Sequence, residues 1–147
     1  MNTEYKCVTT VDGIRDYIGG NRIVAFDFET APDDPYRKED KAALDPARAH
    51  IVGCSFSVKE GTGVYIPVAH RNGTNIDKDA FFEFLTTFLI DKTIIKIDHN
   101  LAFESSMAYA TSPFDLAEYK SAIMESMYKG TKRNIKSEDN SKNTSVG

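Results

Sequence analysis

The period with which hydrophobic and polar residues alternate changes several times along the chain. A period of two predicts β-strands, because side chains two apart on a strand point to the same face, and a period near 3.6 predicts helices. The predicted strands are residues 5–9, 22–30, 50–59, 64–69 and 93–98. The predicted helices are residues 11–18, 78–90, 101–110 and a last one that begins at 112–113 and runs through 128.

Two of these elements carry further information. The turn-forming residues 60–63 join the strands 50–59 and 64–69, which predicts an antiparallel hairpin. The helix 78–90 has a wide apolar stripe that includes three phenylalanines. A stripe with this spacing favours packing in the core over a platform on which bases stack.

Two segments interrupt the pattern. Residues 31–49 contain three prolines and nine charged residues, which predicts a surface loop with a turn of helix at 38–44. This loop would overhang a site at the end of the strand 22–30 and is a candidate for substrate contacts, although a solvated connection is an equally good interpretation. Residues 129–147 contain too few apolar side chains to order themselves, so we expect a domain at 1–128 and a disordered tail.

The composition is that of a soluble globular protein, with 147 residues, 41% of them hydrophobic and 27% charged. No apolar run is long enough for a membrane span and the start of the chain has no signal-peptide pattern, so we expect a cytoplasmic protein with no membrane partner. The net charge of −4 argues against a broad basic surface for duplex DNA, although a local groove stays compatible with it. Cys7 and Cys54 lie in apolar strand-like surroundings, which predicts buried reduced thiols.

The candidate chemistry begins with two acids on the strand 22–30. Asp27 and Glu29 are separated by one residue, so they point to the same face about 6 to 7 Å apart along the strand. Like charges at this distance repel unless water or a cation screens them, and carboxylates suit Mg²⁺ or Mn²⁺. A solvated acidic face on a partly exposed strand is the alternative interpretation, and the short D-x-E pattern does not separate the two.

A second group of polar residues follows the strand 93–98. Asn100 and Glu104 come directly after this strand, where the next helix begins. Ligands bind at this place in open α/β sheets, outside the carboxyl ends of the strands.

Three stretches together resemble a known family. They are F-D-F-E-T at 26–30, I-V-G-C-S-F-S-V with V-Y-I-P-V-A-H within 51–70, and I-D-H-N-L-A-F-E at 97–104. In this order and spacing they resemble the 3′-5′ proofreading exonuclease domain of family A DNA polymerases, the bacterial DNA polymerase I type, from about residue 5 to residue 110. The resemblance implies an α/β, RNase H-like fold in which helices flank a mixed sheet, here truncated at its C-terminal end.

The resemblance also implies roles for individual residues. Asp27, Glu29 and Glu104 match the acids that bind two catalytic metal ions, Mg²⁺ or Mn²⁺, during phosphodiester hydrolysis. The residues assigned to binding of the substrate are Asn100, Phe103 and Thr30. The expected partners are the 3′ end of single-stranded DNA and a DNA polymerase domain or subunit.

Two departures from the family pattern qualify the expected activity. Glu104 stands where the family usually has aspartate, and its extra methylene moves the carboxylate by roughly 1.5 Å, enough to disturb a preorganised site. The third motif of the family, a tyrosine or histidine followed by an aspartate, is not found after Glu104. Tyr36 and Asp40 have the right spacing, but they come too early in the chain.

Three hypotheses therefore stay open. The chain is a metal-dependent 3′-5′ exonuclease, or an inactive relative that binds nucleic acid or a polymerase partner, or a structural module with a solvated acidic edge. Metal binding separates the last hypothesis from the first two, and turnover separates the first two from each other. Without the usual final helices the sheet would expose an apolar face, and self-association would be one way to cover it.

Overall fold

The computed structural model describes residues 4–98, 101–111, 122, 125 and 126, with side chains in the range 101–111 described only at 104, 106–108, 110 and 111. The elements, in chain order, are β1 (Glu4–Cys7), α1 (Val11–Ile18), β2 (Ile23–Pro32), β3 (Ala49–Ser57), β4 (Thr62–Pro67), α2 (Lys78–Ile90), β5 (Ile95–Ile97) and α3 (Leu101–Thr111). Two short 3₁₀ turns, Asp34–Tyr36 and Ala42–Leu44, lie between β2 and β3.

The strands form one mixed sheet in the order β1-β4-β3-β2-β5. β3 is antiparallel to both of its neighbours, β2 and β4, which confirms the predicted hairpin. β1 is parallel to β4, and β5 is parallel to β2. A mixed sheet with helices packed against it is the architecture that the RNase H-like resemblance implied, and the fold prediction is confirmed.

One face of this sheet forms the core. Val24, Phe26 and Phe28 are buried on β2, whereas the residues between them are partly or fully exposed. The buried face packs against α2, whose Phe88 meets Phe26 edge to face at a ring distance of 5.6 Å. The apolar stripe of α2 is therefore core, as its spacing predicted, and Asp77 caps the helix by accepting a hydrogen bond from the Ala80 amide.

The opposite face of the sheet is open in the described part of the chain. Tyr5, Ile23 and Ile97 expose 71%, 54% and 41% of their surface. All four residues of β1 are exposed because β1 is an edge strand. The prediction that both cysteines are buried was therefore wrong for Cys7, which is exposed on β1, and right for Cys54 in the core.

The loop between β2 and β3 differs from its prediction. In place of one helical turn at 38–44, it has the two 3₁₀ turns, and Thr30 donates a 2.6 Å hydrogen bond from its hydroxyl to the Ala43 carbonyl in the second of them. The pairing of β2 with β3 shifts register between Glu29 and Thr30, which marks a β-bulge beside the acids.

β5 is shorter than the predicted strand 93–98. Thr93 donates hydrogen bonds from its amide and its hydroxyl to the Asp91 side chain, so this part of the chain is a turn. The strand therefore begins only at Ile95 and pairs with β2 as far as Ile97.

Some predictions fall outside the described residues. These are the helix predicted to run through 128, of which only 122, 125 and 126 are described, and the tail 129–147. Within the described residues, no helix is both long enough and apolar enough to cross a membrane.

A buried lysine links the C-terminal end of α2 to β5. Lys96 is 1% exposed, and its Nζ atom donates to the carbonyls of Asp91 and Ile94 and to the hydroxyl of Ser126 at 2.5, 3.3 and 2.6 Å. The ammonium also lies 5.6 Å from the ring centre of Phe88. Burial lowers the pKa of Lys96 to about 8, partly offset by the nearby charge of Asp91.

Replacing this lysine should show how much its amino group contributes. Lys96→Met keeps most of the buried volume and removes the donors, so we expect a loss of about 1 to 2 kcal/mol in the free energy of unfolding. Lys96→Ala also leaves a cavity and should lose about 2 to 5 kcal/mol. Urea denaturation followed by circular dichroism measures both, and equal losses in the two variants would contradict a separate contribution from packing.

Candidate metal centre

The pairing between two neighbouring strands, β2 and β5, ends close to the acids that the sequence singled out. β5 pairs with β2 only as far as the pair Ala25 and Ile97. Asp98 follows directly after this last pair, and Asp27 lies two residues beyond Ala25 on β2. Glu104, in the first turn of α3, is the third acid of the group. One carboxylate oxygen from each of Asp27, Asp98 and Glu104 lies within 4.8 Å of the other two.

The end of β5 also explains how Glu104 is held. β2 continues past the last pair with β5, and the Phe28 amide donates a 3.2 Å hydrogen bond to Oε2 of Glu104. Glu104 is 3% exposed, so its carboxylate is a buried acceptor for the strand's backbone. The longer side chain of glutamate thus reaches β2 from α3.

The three acids of the cluster differ in exposure, since Asp27 is exposed, Asp98 is half-buried and Glu104 is buried. The pKa of Glu104 is raised to about 9. Burial is the largest cause, and the charge of Asp98 and a hydrogen bond with Asp27 add to it, whereas the hydrogen bond from the Phe28 amide lowers the pKa. Burial also raises the pKa of the neighbouring Cys54 thiol, and the charges of Glu104, Asp27 and Asp98 raise it further. Without a cation, the Glu104 carboxyl therefore keeps a proton at neutral pH.

These residues fit a divalent cation. All three offer hard carboxylate oxygens, which are the ligands that Mg²⁺ and Mn²⁺ prefer. A cation at this place would stabilise the ionised carboxylate of Glu104, whose pKa is raised first by burial and then by the charge of Asp98. The acidic cluster is thus compatible with the use of a divalent metal.

Glu29 has different partners. It is exposed on the open face of the sheet, and its Oε2 atom accepts a 2.6 Å hydrogen bond from the hydroxyl of Tyr65 on β4. The same hydroxyl lies 2.5 Å from Nε2 of His70. Burial and the bond to Glu29 raise the pKa of Tyr65, so its hydroxyl stays protonated.

Two grooves are lined by these residues. The first, of about 860 Å³, runs over the open face of the sheet, and Asp27, Asp98 and Tyr65 line it. The second, of about 890 Å³, lies between the loops at 31–37 and 69–72, and His70 lines it. Two acids of the cluster therefore open onto a groove, while Glu104 is buried behind them.

Comparisons with known proteins agree with the family resemblance that the motifs indicated. The chain is 31% identical over 98 residues to DNA polymerase I of Pseudomonas aeruginosa, and this match covers 64% of the chain and 10% of the polymerase. This chain is a relative of DNA polymerase I. The resemblance predicted from the motifs is therefore confirmed.

Other matches extend this finding. The chain is 33% identical over 66 residues to a DNA-directed DNA polymerase of Pseudomonas phage M6, which covers 45% of the chain and 10% of that polymerase. The chain thus spans about a tenth of the length of these two curated relatives. No protein-family model matches it.

Among solved structures, NrnC of Brucella melitensis matches with a TM-score of 0.49 and 19% identity, over 77% of this chain and 45% of NrnC. The same protein bound to pGG matches with a TM-score of 0.48 and 20% identity, over 78% of this chain and 46% of NrnC.

The structure places the sequence-predicted residues as follows. Asp27 and Glu104 lie together in the cluster, Glu29 lies on the same strand face with Tyr65, and the Thr30 hydroxyl binds the loop between β2 and β3. Asn100 and the side chain of Phe103 lie outside the described residues.

Asp98 was missed by the sequence reasoning. It closes the hydrophobic stretch T-I-I-K-I-D, and this position directly after a strand was the available signal. Tyr65 and His70 belong to the Y-I-P-V-A-H stretch of the family resemblance. The bond from Tyr65 to Glu29 depends on the strand register, which the sequence pattern does not show.

The proton on Glu104 predicts how stability depends on pH when no cation is bound. Its pKa of about 9 lies above the ordinary 4.5, so between these values the folded state holds a proton that the unfolded chain has released. The free energy of unfolding should therefore fall as the pH rises, by up to about 1.4 kcal/mol per pH unit for this one group. Glu104→Gln should remove this contribution.

Urea denaturation in EDTA measures how the free energy of unfolding changes with pH, at several pH values between the pKa of 4.5 and the pKa of about 9. Glu83→Gln, an exposed change on α2, is the matched control and should follow the wild-type curve. An unchanged slope in Glu104→Gln would contradict the proton assignment.

Proposed function

We propose that this chain is a metal-dependent 3′-5′ exonuclease of the proofreading type, which hydrolyses phosphodiester bonds at the 3′ end of single-stranded DNA. The observation that carries the proposal is the cluster of Asp27, Asp98 and Glu104 beside a groove. The sequence relation to DNA polymerase I supports it. A cytoplasmic location and a single domain at 1–128 are parts of the same proposal.

The residues proposed to hold Mg²⁺ or Mn²⁺ are Asp27, Asp98 and Glu104, with Glu29 beside them. Bound cations would supply the positive charge that lets a hydroxide attack the phosphodiester and an alkoxide leave. Asp98 adds a carboxylate to a chain in which the third motif of the family is not found. This addition supports turnover, because it restores the number of acids near the reacting phosphate.

The acids have two different tasks in this proposal. Asp27 and Asp98 line the groove, where their charges would repel the phosphates of DNA unless a cation were bound. Glu104 would give up its proton to bind a cation, and the Phe28 amide holds its carboxyl group in place. Asn100, Phe103 and Thr30 are proposed contacts of the DNA strand.

The partner classes follow from the same argument. The 3′ end of single-stranded DNA is the proposed substrate, and a DNA polymerase domain or subunit is the proposed protein partner, as the resemblance implied. Self-association through the open sheet face is proposed as one way to cover Tyr5, Ile23 and Ile97.

One specific observation favours a second function, which is binding without cleavage. The sequence after Glu104 contains no tyrosine or histidine followed by an aspartate at the family's spacing. An exonuclease-like module that binds nucleic acid or a polymerase partner without cleaving would fit that observation.

Hydrolysis of 5′-labelled single-stranded DNA in Mg²⁺ or Mn²⁺ tests the proposal. We expect stepwise shortening by the wild type, no cleavage of a circular single strand and no activity in EDTA. Asp27→Asn and Asp98→Asn should each reduce the rate more than about 100-fold, since even residues that only hold metal ligands contribute about 10- to 100-fold. Glu83→Gln on α2 is the acid-to-amide control and should keep the wild-type rate.

Two outcomes would redirect the assignment. Equal activity in wild type and Asp27→Asn would show a contaminating nuclease and contradict the site. No shortening by the wild type, with the labelled strand still bound in fluorescence anisotropy, would favour the binding module.

A further inference from the structure

The hydroxyl of Tyr65 reaches across a whole strand to bind Glu29. Tyr65 lies on β4 and pairs with Ser55 of β3, whereas Glu29 lies on β2 and pairs with Gly53 of β3. The two side chains are therefore diagonal neighbours on opposite sides of β3. Even so, the Tyr65 hydroxyl is 2.6 Å from Oε2 of Glu29.

Gly53 makes this crossing sterically allowed. A Cβ atom at Gly53 would lie 1.9 Å from the Tyr65 hydroxyl oxygen and 2.4 Å from Cζ. No side chain fits at those distances, so the ring of Tyr65 occupies the space that any other residue at 53 would fill. A methyl group there would displace the end of the Tyr65 side chain, which is flexible, rather than the backbone.

The hydrogen-bond directions follow from the chemistry of the three groups. An ionised carboxylate only accepts, so the Tyr65 hydroxyl donates to Glu29. Its oxygen then accepts from His70, which assigns the proton of that contact to Nε2 of His70. The backbone of His70 is in turn held on both sides by Asn75, through bonds of 2.8 Å to the amide and 2.9 Å to the carbonyl.

We propose that Tyr65 is a positioning residue that fixes the carboxylate of Glu29 as a metal ligand beside Asp27, with His70 and Gly53 holding the Tyr65 hydroxyl in place. This inference rests on the proposed function, because it assigns Glu29 to the same metal centre. Oε2 of Glu29 accepts from Tyr65, and the carboxylate held in this way would serve as a ligand when a cation is bound. Without the bond, Glu29 is an exposed side chain on an open face and samples many rotamers.

Three variants test this role. Tyr65→Phe removes only the hydroxyl, Gly53→Ala displaces it, and Glu29→Ala removes the carboxylate that it is proposed to orient. Tyr17→Phe is the control, because it also removes a tyrosine hydroxyl, one that bonds Thr62 and the Val58 amide and lines neither groove. Calorimetric titration with Mn²⁺ and no DNA is the first measurement, and single-turnover cleavage over a range of Mn²⁺ concentrations is the second.

We expect Tyr65→Phe and Gly53→Ala each to weaken Mn²⁺ binding by about 10-fold, within the 10- to 100-fold typical of groups that orient metal ligands. Adding Tyr65→Phe to Glu29→Ala should cause no further loss, because the bond no longer exists. Cleavage should show a lower rate that excess Mn²⁺ partly restores, with the KM for DNA unchanged. Tyr17→Phe should keep the wild-type Mn²⁺ affinity and cleavage rate.

Other outcomes separate the two proposals. Wild-type Mn²⁺ affinity in Tyr65→Phe, with a lower melting temperature in EDTA, would show that the bond only joins strands and would overturn the positioning role. If the wild type binds Mn²⁺ but cleaves nothing, a weaker affinity in Tyr65→Phe still supports the positioning role while the proposed function fails. No Mn²⁺ binding by the wild type would overturn both.

Discussion

The feature on which the site depends is the crowding of three acids at the end of β5. Three carboxylates share a space in which their oxygens lie within 4.8 Å of one another, and one of them is almost fully buried. Such an arrangement is unfavourable when all three acids are ionised, and β2, β5 and α3 fix the backbone positions that bring the acids together. The rest of the sheet is the support that keeps these groups together.

This support is asymmetric. α1, α2 and α3 contribute buried residues to one core on one face of the sheet, so Val24, Phe26 and Phe28 of β2 are held rigidly. The alternate positions of the same strand project to the open face, where chemistry can take place. Rigidity and access are thus divided between the two faces of one strand.

The sequence predicted the elements well because their periodicity is local. It predicted α2 to the residue, the β3–β4 hairpin and two of the three clustered acids, Asp27 and Glu104. It did not predict Asp98 in the cluster, because how far β5 pairs with β2 is a property of two distant segments. It also did not predict the contact between Tyr65 and Glu29, since strand register and the missing side chain of Gly53 together create it.

The hydrogen bond from the Phe28 amide to Glu104 makes the length of a strand part of the site's chemistry. The Glu104 carboxylate accepts this bond from a part of β2 that lies beyond the last residue paired with β5. One more residue of pairing would join Asp98 to Phe26, which would move Asp98 and α3 relative to the Phe28 amide. A single insertion in β5 would therefore disrupt the centre as thoroughly as loss of an acid, although every carboxylate would still be present in the sequence.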